Sequence, residues 1–304
     1  MDVYMDIHDM IGSTPILKLN NLGVKANVNL YAKLELYNPL GSIKDRVGVY
    51  MVKDAEERGV LKPGGTIIEP TAGNTGIGIA LAALNKGYRV IFTVPEKFSI
   101  EKQKIMKALG AEIVHTSRAE GMLGAEKKAE ELLKEIPDSI SLKQFRNPAN
   151  PLSHYETTGP EIYKQMDGKI DYLVAGAGSG GTFSGIMKYL KEQNPDIKGV
   201  LADPYGSIIG GGEHHDYDIE GIGNDFIADT MDVSFIDKAI KITDDEAFES
   251  SRLLAKKEGI LAGSSSGAAL KAALKLSEEI DSVNIVVVFP DRGDRYLSKG
   301  LYDI

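Results

Sequence analysis

The 304-residue chain contains no cysteine. That excludes disulfides, thiolate zinc sites, iron–sulfur clusters and a catalytic thiol of the protein's own. Long apolar runs are also missing. Stretches such as Ile285-Val286-Val287-Val288-Phe289 fall far short of the roughly 20 apolar residues a bilayer span needs. The N-terminal run from Met1 to Asp6 is acidic and lacks the basic-then-apolar order of a leader, so the sequence predicts a soluble, cytoplasmic protein. Positive charge is the scarcer sign: 35 Lys and Arg stand against 44 Asp and Glu, a net charge of -9. Nucleic acids and anionic membranes are held by clustered cations, so neither is an expected partner.

What the chain does have is alternation. At about 150 residues per domain its length predicts two domains or one large α/β unit. Strands are expected at Val28 to Leu36, Thr66 to Ile68, Arg89 to Val94, Ile113-Val114, Tyr172 to Ala175, Gly199 to Ala202 and Ile285 to Phe289. Between them, helices are expected over Ser42 to Arg58, Thr75 to Lys86, Ser99 to Leu109, Thr182 to Lys191, Thr243 to about Lys257 and Ser265 to Leu276. Ser99 reads as an N-cap, and Thr243 with Glu246 as a capping box. Alternating strands and helices imply parallel sheets covered on both faces.

Four loops carry the chemistry. Asn38-Pro39-Leu40-Gly41-Ser42-Ile43-Lys44 puts Lys44 in the first turn of a helix, which on its own reads as an ordinary solvated lysine; the functional reading is a partly desolvated amine at the positive helix end, where both effects disfavour its charged form. Glu69-Pro70-Thr71-Ala72-Gly73-Asn74-Thr75-Gly76 joins a strand to a glycine-rich helix; exposed N–H groups there suit a carboxylate or phosphate. Gly176-Ala177-Gly178-Ser179-Gly180-Gly181-Thr182 also follows a strand and opens a helix. Gly176, Gly178 and Gly181 fit the dinucleotide pattern, with Asp203 after the next strand where a ribose-binding acid would sit. By spacing alone this loop is a nicotinamide-cofactor candidate. Gly263-Ser264-Ser265-Ser266-Gly267 starts a helix with small hydroxylated residues; these serve as an N-cap or meet a cofactor ring nitrogen.

Together and in this order, the four loops resemble the fold-type II pyridoxal-phosphate enzymes, and within them the cysteine synthase and cystathionine β-synthase branch. The resemblance runs from Ile11-Gly12-Ser13-Thr14-Pro15 to Asp294-Arg295-Tyr296-Leu297. It implies an α/β fold like that of the tryptophan synthase β-subunit: two three-layer α/β/α domains with mainly parallel sheets. The smaller, over residues 36–147, would close over the substrate carboxylate; the larger would comprise 1–35 and 148–304. By resemblance, Lys44 matches the lysine that carries pyridoxal 5'-phosphate as a Schiff base, and Asn74 the residue that bonds the cofactor's ring oxygen. Gly178, Ser179, Gly180, Gly181 and Thr182 match the phosphate cradle, which decides that loop against a dinucleotide. Ser265, flanked by Ser264 and Ser266, matches the partner of the pyridine nitrogen. Thr71, Ala72, Gly73, Asn74, Thr75 and Gln144 match the grip on the substrate α-carboxylate.

The strips Asp203-Pro204-Tyr205-Gly206-Ser207-Ile208, Glu220-Gly221-Ile222-Gly223-Asn224-Asp225-Phe226 and Asn150-Pro151-Leu152-Ser153-His154-Tyr155 look like cystathionine β-synthase, whereas Thr158-Gly159-Pro160-Glu161-Ile162 looks like cysteine synthase. Ala72 stands where a serine is usual, and Asn224 where animal cystathionine β-synthases have a tyrosine. With no haem segment or regulatory module in view, the resemblance is to a compact bacterial-type form. The implied reaction is β-replacement on O-acetyl-L-serine, or serine, through an aminoacrylate. Homocysteine as the thiol gives cystathionine; sulfide, the alternative, gives cysteine. Lys44 would anchor the cofactor and act as general base. A neutral Ser265 favours elimination over transamination.

The rival classes are a nicotinamide dehydrogenase and a non-catalytic partner protein. The resemblance further implies a homodimer and admits a serine acetyltransferase partner, whose isoleucine tail the terminal Tyr302-Asp303-Ile304 faintly resembles. His214 and His215 read as a polar lid loop with no metal, and the Lys and Glu of Glu126 to Glu135 as a solvated helix face.

Overall fold

The structure is a computed structural model that describes residues 3–96 and 98–303. Ile304, the last residue of the tail compared above, lies outside the described residues. The strands are β1 (Ile16–Leu19), β2 (Val28–Leu34), β3 (Thr66–Pro70), β4 (Arg89–Pro95), β5 (Glu112–Thr116), β6 (Ser139–Ile140), β7 (Tyr172–Gly176), β8 (Lys198–Pro204), β9 (Lys238–Ile242) and β10 (Val283–Phe289). The α-helices are α1 (Lys44–Glu57), α2 (Asn74–Ala83), α3 (Ile100–Ala108), α4 (Gly121–Glu135), α5 (Ala149–Ser153), α6 (Gly159–Gln165), α7 (Gly181–Gln193), α8 (Asp244–Glu258) and α9 (Ser264–Glu279). They fall into two compact units, one of Met1–Ile11 with Lys44–Asn150, the other of Gly12–Ile43 with Pro151–Ile304.

The boundaries differ from the expected ones at three places: residues 148–150 fall with the smaller unit, and the other two differences have a visible cause. Residues 36–43 belong with the larger unit because Ile43 N–H donates to the Pro290 carbonyl and Arg292 N–H to that of Gly41. The segment up to Ile11 belongs with the smaller unit, where His8 Nε2 meets the Leu81 carbonyl at 2.8 Å.

The larger unit holds a six-stranded sheet in the order β1-β2-β10-β7-β8-β9. Only β1 runs antiparallel, against β2. Successive side chains of its central strands go to opposite faces. Val174, Val200, Ile285 and Val287 join Leu254, Ala268 and Leu270 of α8 and α9 in one core. Leu173, Leu201, Val286 and Val288 join Ile162, Phe183 and Ile186 of α6 and α7 in the other. A sheet apolar on both faces needs helices on both, hence three layers. The smaller unit has a wholly parallel four-stranded sheet, β5-β4-β3-β6. Ala129 of α4 packs there with Ile68 and Ile91, so the Lys/Glu-rich helix is solvated on one side only. The expected α/β class with mainly parallel sheets therefore holds.

Local expectations fared unevenly. Thr243 and Glu246 form the reciprocal capping box that opens α8. Ser99 precedes α3 but does not cap it: its backbone is left-handed at φ 41 and its side chain makes no capping bond. The helix expected to run to Lys86 stops at Ala83, because Leu84 turns extended at ψ 132 and Asn85 follows with a left-handed φ of 61. α9 is capped by Gly263, which leaves all three serines inside its first turn.

Candidate active site

In the smaller unit, α1 and α2 cross with their backbones in contact. A methyl group on Gly78 would lie 2.1 Å from the Lys44 carbonyl oxygen, and one on Gly48 would lie 2.2 Å from the Gly78 carbonyl. Only glycine permits that approach. It sets the first residue of α1, Lys44, against the second turn of α2, whose first residues are Asn74 and Thr75. Two separately predicted residues, Lys44 and Asn74, are thus carried by one helix pair.

Gly73 is the N-cap of α2 and brings no capping side chain. Nothing from that position competes with an anion for the first-turn N–H groups, where the helix dipole is positive. Thr71, Ala72 and Thr75 are buried, and Gly73 N–H turns back to Thr71 Oγ1 at 3.4 Å. Gln144, far along the chain, meets this loop: Thr75 Oγ1 donates to its Oε1 at 2.7 Å. Thr71, Ala72, Gly73, Asn74, Thr75 and Gln144 are therefore one neighbourhood.

In the larger unit, the glycine-rich loop leaves β7 and enters α7 through Gly180, whose φ is 80. Its carbonyls are engaged from one side. Gly223 N–H donates to the Ala177 carbonyl at 2.7 Å, Asn224 Nδ2 to that of Gly178 at 2.8 Å, and Thr230 Oγ1 to that of Ser179 at 2.6 Å. In a trans peptide the N–H opposes the C=O. The N–H groups of Gly178, Ser179 and Gly180 therefore face away from the 223–230 segment. Thr182 Oγ1 sits 3.1 Å from Nε2 of the fully buried His154, whose Nδ1 lies 2.9 Å from Thr158 Oγ1.

The N-terminus of α9 lies at the same sheet edge, one strand over. Gly263 N–H bonds the Asp291 carbonyl just past β10, which neighbours β7. Crevices at the carboxyl edge of parallel strands are where such folds bind ligands. Ser264, Ser265 and Ser266 are all buried there; Ser264 Oγ takes the Glu220 N–H at 3.1 Å, whereas Ser266 Oγ is buried without a partner.

The dinucleotide alternative fails at Asp203. That side chain is fully buried, and its Oδ2 is occupied by Lys241 Nζ at 2.5 Å and Gly210 N–H at 2.9 Å. It is an internal ion pair, not a ribose ligand. Asn224, read as a substrate-specificity position, spends its amide on the Gly178 carbonyl. His215 stacks on Tyr205 at 5.7 Å, and His214 Nδ1 reaches the Gly206 carbonyl. Thr230, His154 and Glu69 support these loops; Glu69 and His154 lie in stretches singled out in the sequence, but no signal there gave their partners, each of which is remote in the chain.

Residues 7–291 match the model of the family described as pyridoxal-phosphate dependent enzyme. The chain belongs to this family. Pyridoxal phosphate is accordingly its cofactor, and the nicotinamide and non-catalytic alternatives fall away. Among its relatives in the family is a protein of Bacillus subtilis named O-acetylserine dependent cystathionine beta-synthase. It is 53% identical over 304 residues, covering 100% of this chain and 99% of that one. A cysteine synthase of Helicobacter pylori is 48% identical, covering 99% and 100%. The crystal structure of an O-acetylserine dependent cystathionine beta-synthase from Helicobacter pylori superposes with a TM-score of 0.94 at 47% identity, covering 99% of this chain and 100% of that one. No helix among the described residues is long and apolar enough to cross a membrane.

Proposed function

We propose that the chain catalyses β-replacement on O-acetyl-L-serine by homocysteine, forming cystathionine. The observation that carries this reading is the full-length, 53% identity to the Bacillus subtilis enzyme named for that dependence. Cysteine formation from sulfide is the second reading, favoured by the 48% identical cysteine synthase.

The residues present fit the cofactor. A rank of backbone N–H groups at the start of α7 suits its phosphate, and Gly178, Ser179, Gly180, Gly181 and Thr182 would hold it. The serine cluster at α9, with the unpartnered Ser266 hydroxyl, suits a ring nitrogen, which Ser265 would meet as a neutral partner. Asn74 would bond the ring oxygen and Lys44 Nζ would hold the cofactor covalently. When bound, pyridoxal phosphate supplies an electron sink for the substrate Cα. Lys44 Nζ would take the substrate Cα proton and later return it. Thr71 to Thr75 and Gln144 bind the α-carboxylate over the N-terminus of α2. Ala72 gives one hydroxyl fewer in that grip than the serine usual in its place. Ser265 would offer the ring nitrogen a neutral hydrogen-bonding partner in place of a carboxylate. The working form is a homodimer.

A product assay crossing O-acetylserine or serine with homocysteine or sulfide tests the reading. Cystathionine from O-acetylserine and homocysteine is the expected major product. Rapid cysteine formation with no cystathionine would assign the second reading instead, and equal rates with serine would overturn the acetyl-ester preference.

A further inference from the structure

Glu69 stands on β3 one residue before the Pro70-Thr71 turn, and it is 3% exposed. Its carboxylate is wrapped by a segment that follows β6. Oε2 accepts from Ser141 Oγ at 2.7 Å, Leu142 N–H at 2.9 Å and Lys143 N–H at 3.3 Å, and Oε1 accepts from Gln144 N–H at 3.4 Å. All four donors are neutral. Burial raises the carboxyl above its ordinary value, and these donors pull it only part of the way back. Within the turn Lys143 takes a left-handed φ of 54, which an ordinary side chain adopts only when its surroundings hold it there. The turn is tied off by Asn147 Nδ2 on the Leu142 carbonyl at 3.0 Å and Asn150 Nδ2 on the Gln144 carbonyl at 2.8 Å. Its outcome is the 2.7 Å bond between Gln144 and Thr75.

A carboxylate is the one side chain of this length that accepts on both oxygens and donates on neither. A glutamine here keeps a single acceptor oxygen. Set against the three donors, it turns its amide N–H₂ toward Gln144 N–H, donor against donor. The natural residue is therefore matched to the Gln144 amide in particular, not to burial in general.

We infer that Glu69 is a positioning residue that fixes Gln144 in register with Thr75 and so shapes the pocket for the substrate α-carboxylate. The inference rests on the carboxylate role proposed above for Thr71 to Thr75 and Gln144. Glu69 itself touches no substrate; it works through the backbone of 141–144.

The test is Glu69→Gln, assayed as the loaded enzyme and by amide hydrogen exchange on the protein without substrate. The Michaelis constant for O-acetylserine should rise roughly tenfold, the effect of one lost polar contact, with kcat changed less than about threefold and the constant for the thiol unmoved. Exchange of the 142–144 amides should quicken while β3 and β4 stay protected. In a Gln144→Ala background, Glu69→Gln should add little further loss, because the two act in series. An unchanged Michaelis constant, or full additivity with Gln144→Ala, would overturn the inference. Should the glutamine variant not fold, Glu69→Asp draws the carboxylate back from Gln144 by one methylene and must raise the same Michaelis constant; a wild-type value there overturns it equally. Failure of the proposed function looks different: the unmutated chain would not turn over O-acetylserine at all, while the exchange result would stand.

Discussion

At Lys44 a single amine is assigned two duties, holding the cofactor and moving the Cα proton. Lys44→Ala should abolish turnover and the borohydride-reducible yellow colour of the loaded enzyme, leaving the fold intact by circular dichroism. A variant that stayed yellow would remove Lys44 from the anchoring role. Asn224 is assigned to the cofactor loop instead of the substrate. Asn224→Ala deletes the donor to the Gly178 carbonyl, and one such bond is worth about 1 kcal/mol. Titration of the protein with pyridoxal phosphate should show about fivefold weaker binding, and selectivity between serine and O-acetylserine should not move. Candidates of the first kind can be picked out in the sequence, because Lys44, Asn74 and the Gly178 to Thr182 loop sit in local motifs. Those of the second kind cannot. Asn224, Thr230 and Glu69 act across long gaps in sequence, and nothing adjacent to them announces the partner.

Strands and helices of the predicted type appeared where apolar periodicity was strong, as in β4, β10 and α8. The misplaced helix starts share one cause. Ser99 and the three serines before Gly267 have the right chemistry for caps, yet backbone geometry decided the ends: a left-handed Ser99, and Gly263 held against Asp291. β1 and β9 went unseen because four or five residues with mixed burial carry little period. At this scale the critical element pair is α1 and α2. Gly78→Ala would drive a methyl into the Lys44 carbonyl, so the helices must separate at a cost of about 2 kcal/mol. Thermal unfolding should fall by several degrees, and cofactor affinity should fall with it. Gly59→Ala, which meets nothing within 4 Å but has a φ of 67, should lower stability without weakening the cofactor.

For the molecule as a whole, length and alternation predicted two domains or one large α/β unit and the family resemblance implied two, while the positions of residues 36–43 and of the segment up to Ile11 needed tertiary hydrogen bonds that no local pattern encodes. Ionisation also acts at this scale. Burial, with Asp203 close by, pushes Tyr217 up to about 12, and burial does the same to Tyr302. Burial beside Asp291 raises Tyr296 well above its ordinary value. A phenol whose folded pKa is raised favours the native state below its unfolded pKa, and that contribution disappears as pH climbs through the folded value. All three residues belong to the larger unit. Chemical denaturation should therefore show stability falling between about pH 10 and 12, with phenolate absorbance rising in step. Tyr302→Phe should flatten part of that slope.

The strand order of the larger sheet places β10, the last of its strands to be made, in the middle, between β2 and β7. A ribosome therefore delivers β2, then residues 44–150 of the smaller unit, then β7 to β9, before the piece that joins them. Until then β2 and β7 each expose an unpaired edge to the cell. The smaller unit has no such wait, since its four strands arrive consecutively. A nascent chain halted before Val283 should thus resist protease over residues 44–150 and be cut freely in what surrounds them. The half of the molecule assigned to the substrate carboxylate takes shape in time before the half assigned to the cofactor phosphate.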